Sequence, residues 1–173
     1  MVDIKHQVKD DFWNKLVDLK QQGYLPDLGM KVKYKFYSLS GSKCFAHKSI
    51  ALTADGKNFV TVELTVKIGV DGKKRTFPET RPVAESKKDK MTYLGEVEGS
   101  AFNLIYTKAL EVMEKFGNYC KPCNNCQDFC NFYTKAVGLK AQEFTDRDKV
   151  SAGAGLFGVV LMGLYSILRL LSK

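Results

Sequence analysis

The segment AHKSIALTADGKNFVTVELTV, residues 46–66, places Asp55-Gly56 between two runs rich in β-branched and apolar residues. An Asp-Gly pair flanked this way is a strong short-range signal for a β-hairpin, because a tight hairpin turn needs positive φ values that these residues tolerate. A second pair, Asp71-Gly72, repeats the signal one strand later. Upstream, KVKYKFYSL from Lys31 to Leu39 alternates apolar and basic residues, the period of a half-exposed strand. These runs predict an antiparallel meander.

Helical patterns flank it. From Val2 to Gln22, Val8, Phe12, Leu16 and Leu19 recur at helical intervals, and Gly23 and Pro26 stop the pattern. Pro78 and Pro82 are expected to disrupt the stretch after the second hairpin, and ESKKDK, Glu85 to Lys90, reads as an exposed basic loop. Ser100 can cap a helix to about Phe116, with Phe102, Ile105, Tyr106, Ala109, Leu110 and Met113 on one face. Asn124 or Asn125 can cap another through Val137, packing through Phe129, Phe132, Tyr133 and Ala136 and stopped by Gly138. The fold class is α+β, an antiparallel sheet packed against helices.

The net charge of +8 is dispersed among acidic and aromatic neighbours, whereas a nucleic-acid binder concentrates its lysines, so no nucleic-acid partner is expected. From Ser151 to Leu168 the chain carries no charge. As a helix this run would be about 27 Å long, close to the hydrocarbon thickness of a bilayer. A C-terminal transmembrane helix is therefore expected, with the domain before Val150 facing the cytosol and membrane lipids as surface and substrate. Ser151, Ala154, Gly155 and Gly158 would permit close helix contact and a weak homodimer. In the reducing cytosol, structural disulfides are not expected.

Four of the five cysteines, Cys120, Cys123, Cys126 and Cys130, fall within CKPCNNCQDFC. Two chemistries fit. As a set, the four could ligate an iron–sulfur cluster or zinc, but an iron–sulfur run of this spacing is usually followed by proline and paired with a second run, and here Asn131 follows. Alternatively Cys126, in the first turn of a helix, occupies the place where unpaired N–H groups and the positive dipole end stabilise a thiolate. A nucleophile needs a base, and the histidines are His6 and His47. His47 begins the first hairpin strand, sharing a face with Phe45, Ser49 and Ala51. A turn centred near Asp55 sets Glu63 opposite it as orienting carboxylate, with Thr61 or Asn58 in that role if the register slips. A third alternative is a non-catalytic tail-anchored adaptor whose cysteines are buried hydrophobes.

The strand His47, the later Asn125-Cys126-Gln127-Asp128-Phe129 opening a helix, and the apolar C-terminus together resemble the lecithin:retinol acyltransferase-like proteins of the NlpC/P60 superfamily. Those proteins carry an Asn-Cys-Glu-His-Phe type motif, so Gln127 and Asp128 depart from it, and the family's second histidine has no counterpart here. The resemblance covers roughly residues 30–170. It implies a circularly permuted papain-like fold and thiol chemistry on lipid acyl esters, by hydrolysis or acyl transfer, with Cys126 as nucleophile, His47 as base and no cofactor. The expected organisation is an N-terminal helix and linker over residues 1–29, a papain-like domain over 30–145, and a linker with membrane anchor over 146–173.

Overall fold

The computed structural model describes residues 4–40, 47–68, 72, 74–116 and 125–140. Helix α1 (Ile4–Gln21) precedes strands β1 (Val32–Ser40), β2 (Lys48–Thr53), β3 (Val60–Ile68), β4 (Lys74–Pro82) and β5 (Met91–Gly99), and helices α2 (Lys108–Phe116) and α3 (Cys126–Ala136) follow. The strands form one antiparallel sheet in the order β4-β3-β2-β1-β5, as the meander predicts, with β5 added beside β1. The architecture is α+β.

Alternation decides the two faces. Tyr34, Phe36, Ile50, Leu52, Val60, Val62 and Leu64 point to one face and build the main core with Phe12, Leu16 and Leu19 of α1, Val112 and Phe116 of α2, and Phe129, Cys130 and Tyr133 of α3. The other face holds a smaller apolar cluster, Leu39, Ala51, Phe59 and Val83, next to the buried polar residues Ser49, Thr61 and Glu63. Helices α1 and α2 lie toward β4, and α3 lies over β2 and β3. That placement brings the start of α3 to the start of β2.

The helix ends follow local chemistry. Tyr24 N–H bonds the Leu19 carbonyl and Gly23 N–H that of Lys20, a Schellman stop; Leu139 and Gly138 repeat it on Thr134 and Lys135. Gly23 and Gly138 hold φ of 79° and 84°, a conformation that side chains with a Cβ resist.

Three expectations change. The stretch holding Pro78 and Pro82 is not disrupted but forms β4, because β4 is an edge strand and both prolines share the parity whose missing N–H groups face away from β3. ESKKDK is exposed as expected but winds into a 3₁₀ turn. The helix after Ser100 begins with a π-wound segment, Phe102–Thr107, before α2. The wider winding rotates the apolar stripe, so Leu104, Ile105, Ala109, Val112 and Phe116 are buried while Phe102 is 45% exposed. Lys108 N–H bonds the carbonyls of Asn103 and Ile105, passing over Leu104, whose carbonyl receives the buried Tyr133 hydroxyl at 2.7 Å.

Among the described residues no helix is long and apolar enough to cross a membrane. The Ser151–Leu168 run, its linker, Phe45, Cys44, Cys120 and Cys123 lie outside the described residues.

Candidate active site

Asn125 is the cap of α3. Its backbone is extended, and its Oδ1 accepts from the N–H of Gln127 at 2.8 Å and of Asp128 at 3.3 Å, while the Asp128 carboxylate accepts from Asn125 N–H at 3.1 Å. This reciprocal capping box fixes where the helix starts and makes Cys126 its first residue. The helix-start N–H groups of Gln127 and Asp128 are thereby occupied by Asn125 Oδ1, and the N–H of Cys126 is the one at this helix start that faces its own sulfur.

The Cys126 sulfur, half-buried, receives the backbone N–H of Lys48 at 3.5 Å and hydrogen-bonds the His47 ring. His47 immediately precedes β2, its side chain 48% exposed. Its Nε2 lies 2.7 Å from Glu63 Oε2. With Nε2 held by the carboxylate, Nδ1 is the ring nitrogen left to exchange a proton with the thiol. Glu63 is 3% exposed, and its other oxygen, Oε1, meets Arg81 Nε at 2.6 Å. A chain of four groups results: Cys126, His47, Glu63, Arg81.

Its electrostatics follow from contact. The hydrogen bond to Cys126 first, then that to Glu63, pushes the His47 pKa up to about 9 against a smaller opposing effect of burial. For Cys126, burial acts upward, but the His47 hydrogen bond, the Lys48 N–H and the imidazolium charge together hold the thiol below its ordinary range. Burial likewise pushes Glu63 upward, and the His47 hydrogen bond and the Arg81 charge reverse it, keeping the carboxyl low. Together the two shifts favour a thiolate beside an imidazolium.

The pairing differs in one respect from expectation. Glu63 stands across from Ser49 rather than His47, because the hairpin is centred on Gly56, not Asp55. A two-residue shift preserves the face, so Glu63 still reaches His47 diagonally. Thr61 and Asn58, the alternatives for its role, are engaged elsewhere: the Thr61 hydroxyl donates to the Arg81 carbonyl at 3.3 Å and the Asn58 amide to Asp55 at 2.8 Å. His6 lies in the first turn of α1.

Cys126 and Cys130 part company. Cys130, one turn on, is sealed in the main core, where burial drives its thiol strongly upward and keeps it neutral. Of the four sulfurs in the alternative metal set, Cys126 thus faces His47 and Cys130 faces the core, while Cys120 and Cys123 lie outside the described residues.

Arg81 is the site residue that the sequence pattern does not single out. The signal is present but indirect: Glu63 on a buried strand face has Glu79 directly across β4, so a balancing cation has to come from the same face two residues along, which is Arg81. Reading Pro78 and Pro82 as breaks hides that strand.

No protein-family profile, curated protein or solved structure matches the chain.

Proposed function

We propose that the chain is a cysteine hydrolase or acyltransferase that works through an acyl-thioester on Cys126, with His47 as acid–base and Glu63 as its orienting carboxylate. The observation that carries this reading is the His47 ring held between the Glu63 carboxylate, at 2.7 Å, and the Cys126 sulfur. A thiol polarised from one side and an imidazole anchored from the other are what acyl transfer to sulfur requires.

In the forward step the Cys126 thiolate attacks the acyl carbonyl of an ester. The N–H groups of Cys126 and Lys48, which both face the sulfur, are placed to bind the oxygen as it gains charge. The carbon–oxygen bond then breaks, His47 gives its proton to the departing alkoxide, and the thioester remains. Neutral His47 next takes a proton from the acceptor as its oxygen or nitrogen attacks the thioester carbon, and the carbon–sulfur bond breaks to release the thiolate. Water yields a carboxylic acid and an amine or alcohol yields the transferred product; either restores the thiolate–imidazolium pair.

Lipid acyl esters are the proposed substrate class. The uncharged run from Ser151 to Leu168, read as a membrane anchor on the cytosolic side, would hold the site beside a bilayer, and the +8 charge would favour an anionic surface. A permuted papain-like arrangement accords with a strand histidine that precedes a helix-opening cysteine and with an antiparallel sheet beneath both.

The test is intact-mass analysis after incubating the chain with diacyl phospholipid vesicles, with release of fatty acid followed in parallel. An acyl adduct mapping to Cys126, absent in Cys126→Ala together with the release, supports the proposal. Unchanged release in Cys126→Ala, or an adduct on another residue, sinks it.

A further inference from the structure

The geometry points to Arg81 as a positioning residue of the site, one that keeps the buried Glu63 carboxylate ionised and bridging while the charge on His47 comes and goes. This rests on the acyl-transfer reading above and extends it to a residue outside the catalytic trio.

Glu63 has two cationic neighbours of different kinds. His47 bonds Oε2 and Arg81 bonds Oε1, so the carboxylate is held at both oxygens and cannot rotate without losing one bond. The imidazolium is a temporary charge, since His47 surrenders its proton to the leaving group. The guanidinium is permanent. Counting charges shows the consequence: thiolate, imidazolium, carboxylate and guanidinium sum to zero at rest, and thioester, neutral imidazole, carboxylate and guanidinium sum to zero in the acyl-enzyme. Without Arg81 both states carry an uncompensated negative charge at a carboxylate that is 3% exposed, which favours protonating one of the three remaining groups.

The local fold supports a built role. Arg81 lies on the edge strand across from Thr61, whose hydroxyl donates to the Arg81 carbonyl at 3.3 Å, and Val83 N–H bonds the Phe59 carbonyl at 2.9 Å just beyond. These bonds fix the strand so that the guanidinium meets Glu63. The other titratable or charged groups around the carboxylate are Glu79 across β4, Lys48 on β2, and Cys126 and Cys130 on α3.

The experiment measures the pH dependence of Cys126 alkylation by iodoacetamide in the full chain, located by peptide mapping, which reports thiolate without needing turnover. Removing one charge at an effective dielectric of about 20–40 raises the thiol midpoint by roughly half to one pH unit, so Arg81→Gln alkylates about three- to tenfold more slowly below the midpoint. Arg81→Lys, which keeps the charge, stays nearer the parent. His47→Asn separates the two ideas. If it leaves the midpoint in place, the Cys126–His47 reading fails; if it moves the midpoint and Arg81→Gln does not, the Arg81 inference alone is overturned. Should Arg81→Gln not fold, the Glu63 carboxyl carbon is titrated by NMR in His47→Asn, where Arg81 is the cation left on it. A midpoint below 4.5 supports the inference and one at or above 4.5 refutes it.

Discussion

Replacing Glu63 with Gln keeps the shape of the side chain and an oxygen that can accept the His47 N–H, while removing the charge. The rise of His47 from 6.5 to about 9 would correspond to about 3.4 kcal/mol at 1.36 kcal/mol per pH unit. The His47 side chain is 48% exposed, so solvent screening reduces this to on the order of 1–2 kcal/mol, shared between Cys126 as the larger contributor and Glu63 as the next. Glu63→Gln should therefore lower the His47 midpoint by roughly a third to two-thirds of a pH unit and slow acyl transfer about two- to fivefold. The fold should tolerate it, because Arg81 is 53% exposed and can turn its charge into water. The assay is a proton NMR titration of the His47 ring, made unambiguous by His6→Gln, since the chain has two histidines. A parent midpoint near 6.5, or one that Glu63→Gln leaves unmoved, would refute the pairing.

Acyl transfer should follow a bell-shaped pH profile whose acidic limb reports loss of the Cys126 thiolate and whose basic limb, near about 9, reports loss of the His47 proton; initial rates across pH check it. Stability should vary with pH in a defined direction. His47, raised, contributes stability that is fully present below 6.5 and lost as pH climbs through about 9, and Glu63, lowered, contributes stability present above 4.5 and lost as acid protonates it. Cys126, lowered, contributes in the opposite sense, its stability present above 9.0 and lost as pH falls, which offsets the His47 loss on the basic side; urea midpoints should therefore fall chiefly on the acidic flank, less steeply in Glu63→Gln. Tyr133→Phe should cost about 1–3 kcal/mol in the same assay, because it strips the Leu104 carbonyl of a buried hydroxyl donor. Asn125→Ala should cost about 1 kcal/mol by opening the capping box of α3.

The meander and the helix stops were legible because their signals are local. Asp55-Gly56, Gly23 and Gly138 specify backbone conformations by themselves, and alternation keeps Glu63 and His47 on one face through any shift of two residues in register, such as the one found. What escaped was set by position in the finished sheet. Whether Pro78 breaks a strand depends on that strand lying at an edge, and β5, MTYLGEVEG, has its register shifted opposite Phe36 and Tyr37, which blurs its alternation. The π-wound segment escaped because a single-residue change of winding leaves no compositional mark, yet it rotates the buried stripe of the whole helix. Arg81 was hidden by the same prolines that hid β4.

The Cys126 sulfur meets the backbone of a residue 78 positions earlier in the chain. His47 just before β2, Glu63 on β3 and Arg81 on β4 can come together as soon as the β2–β3–β4 meander forms, whereas Cys126 joins them when α3 docks over β2 and β3. A chain caught before that docking holds His47 with no thiol beside it and a cysteine of ordinary, weak reactivity. Rapid alkylation at Cys126 is thus a signature of completed long-range assembly, and the chain carries an internal gauge of its own folding.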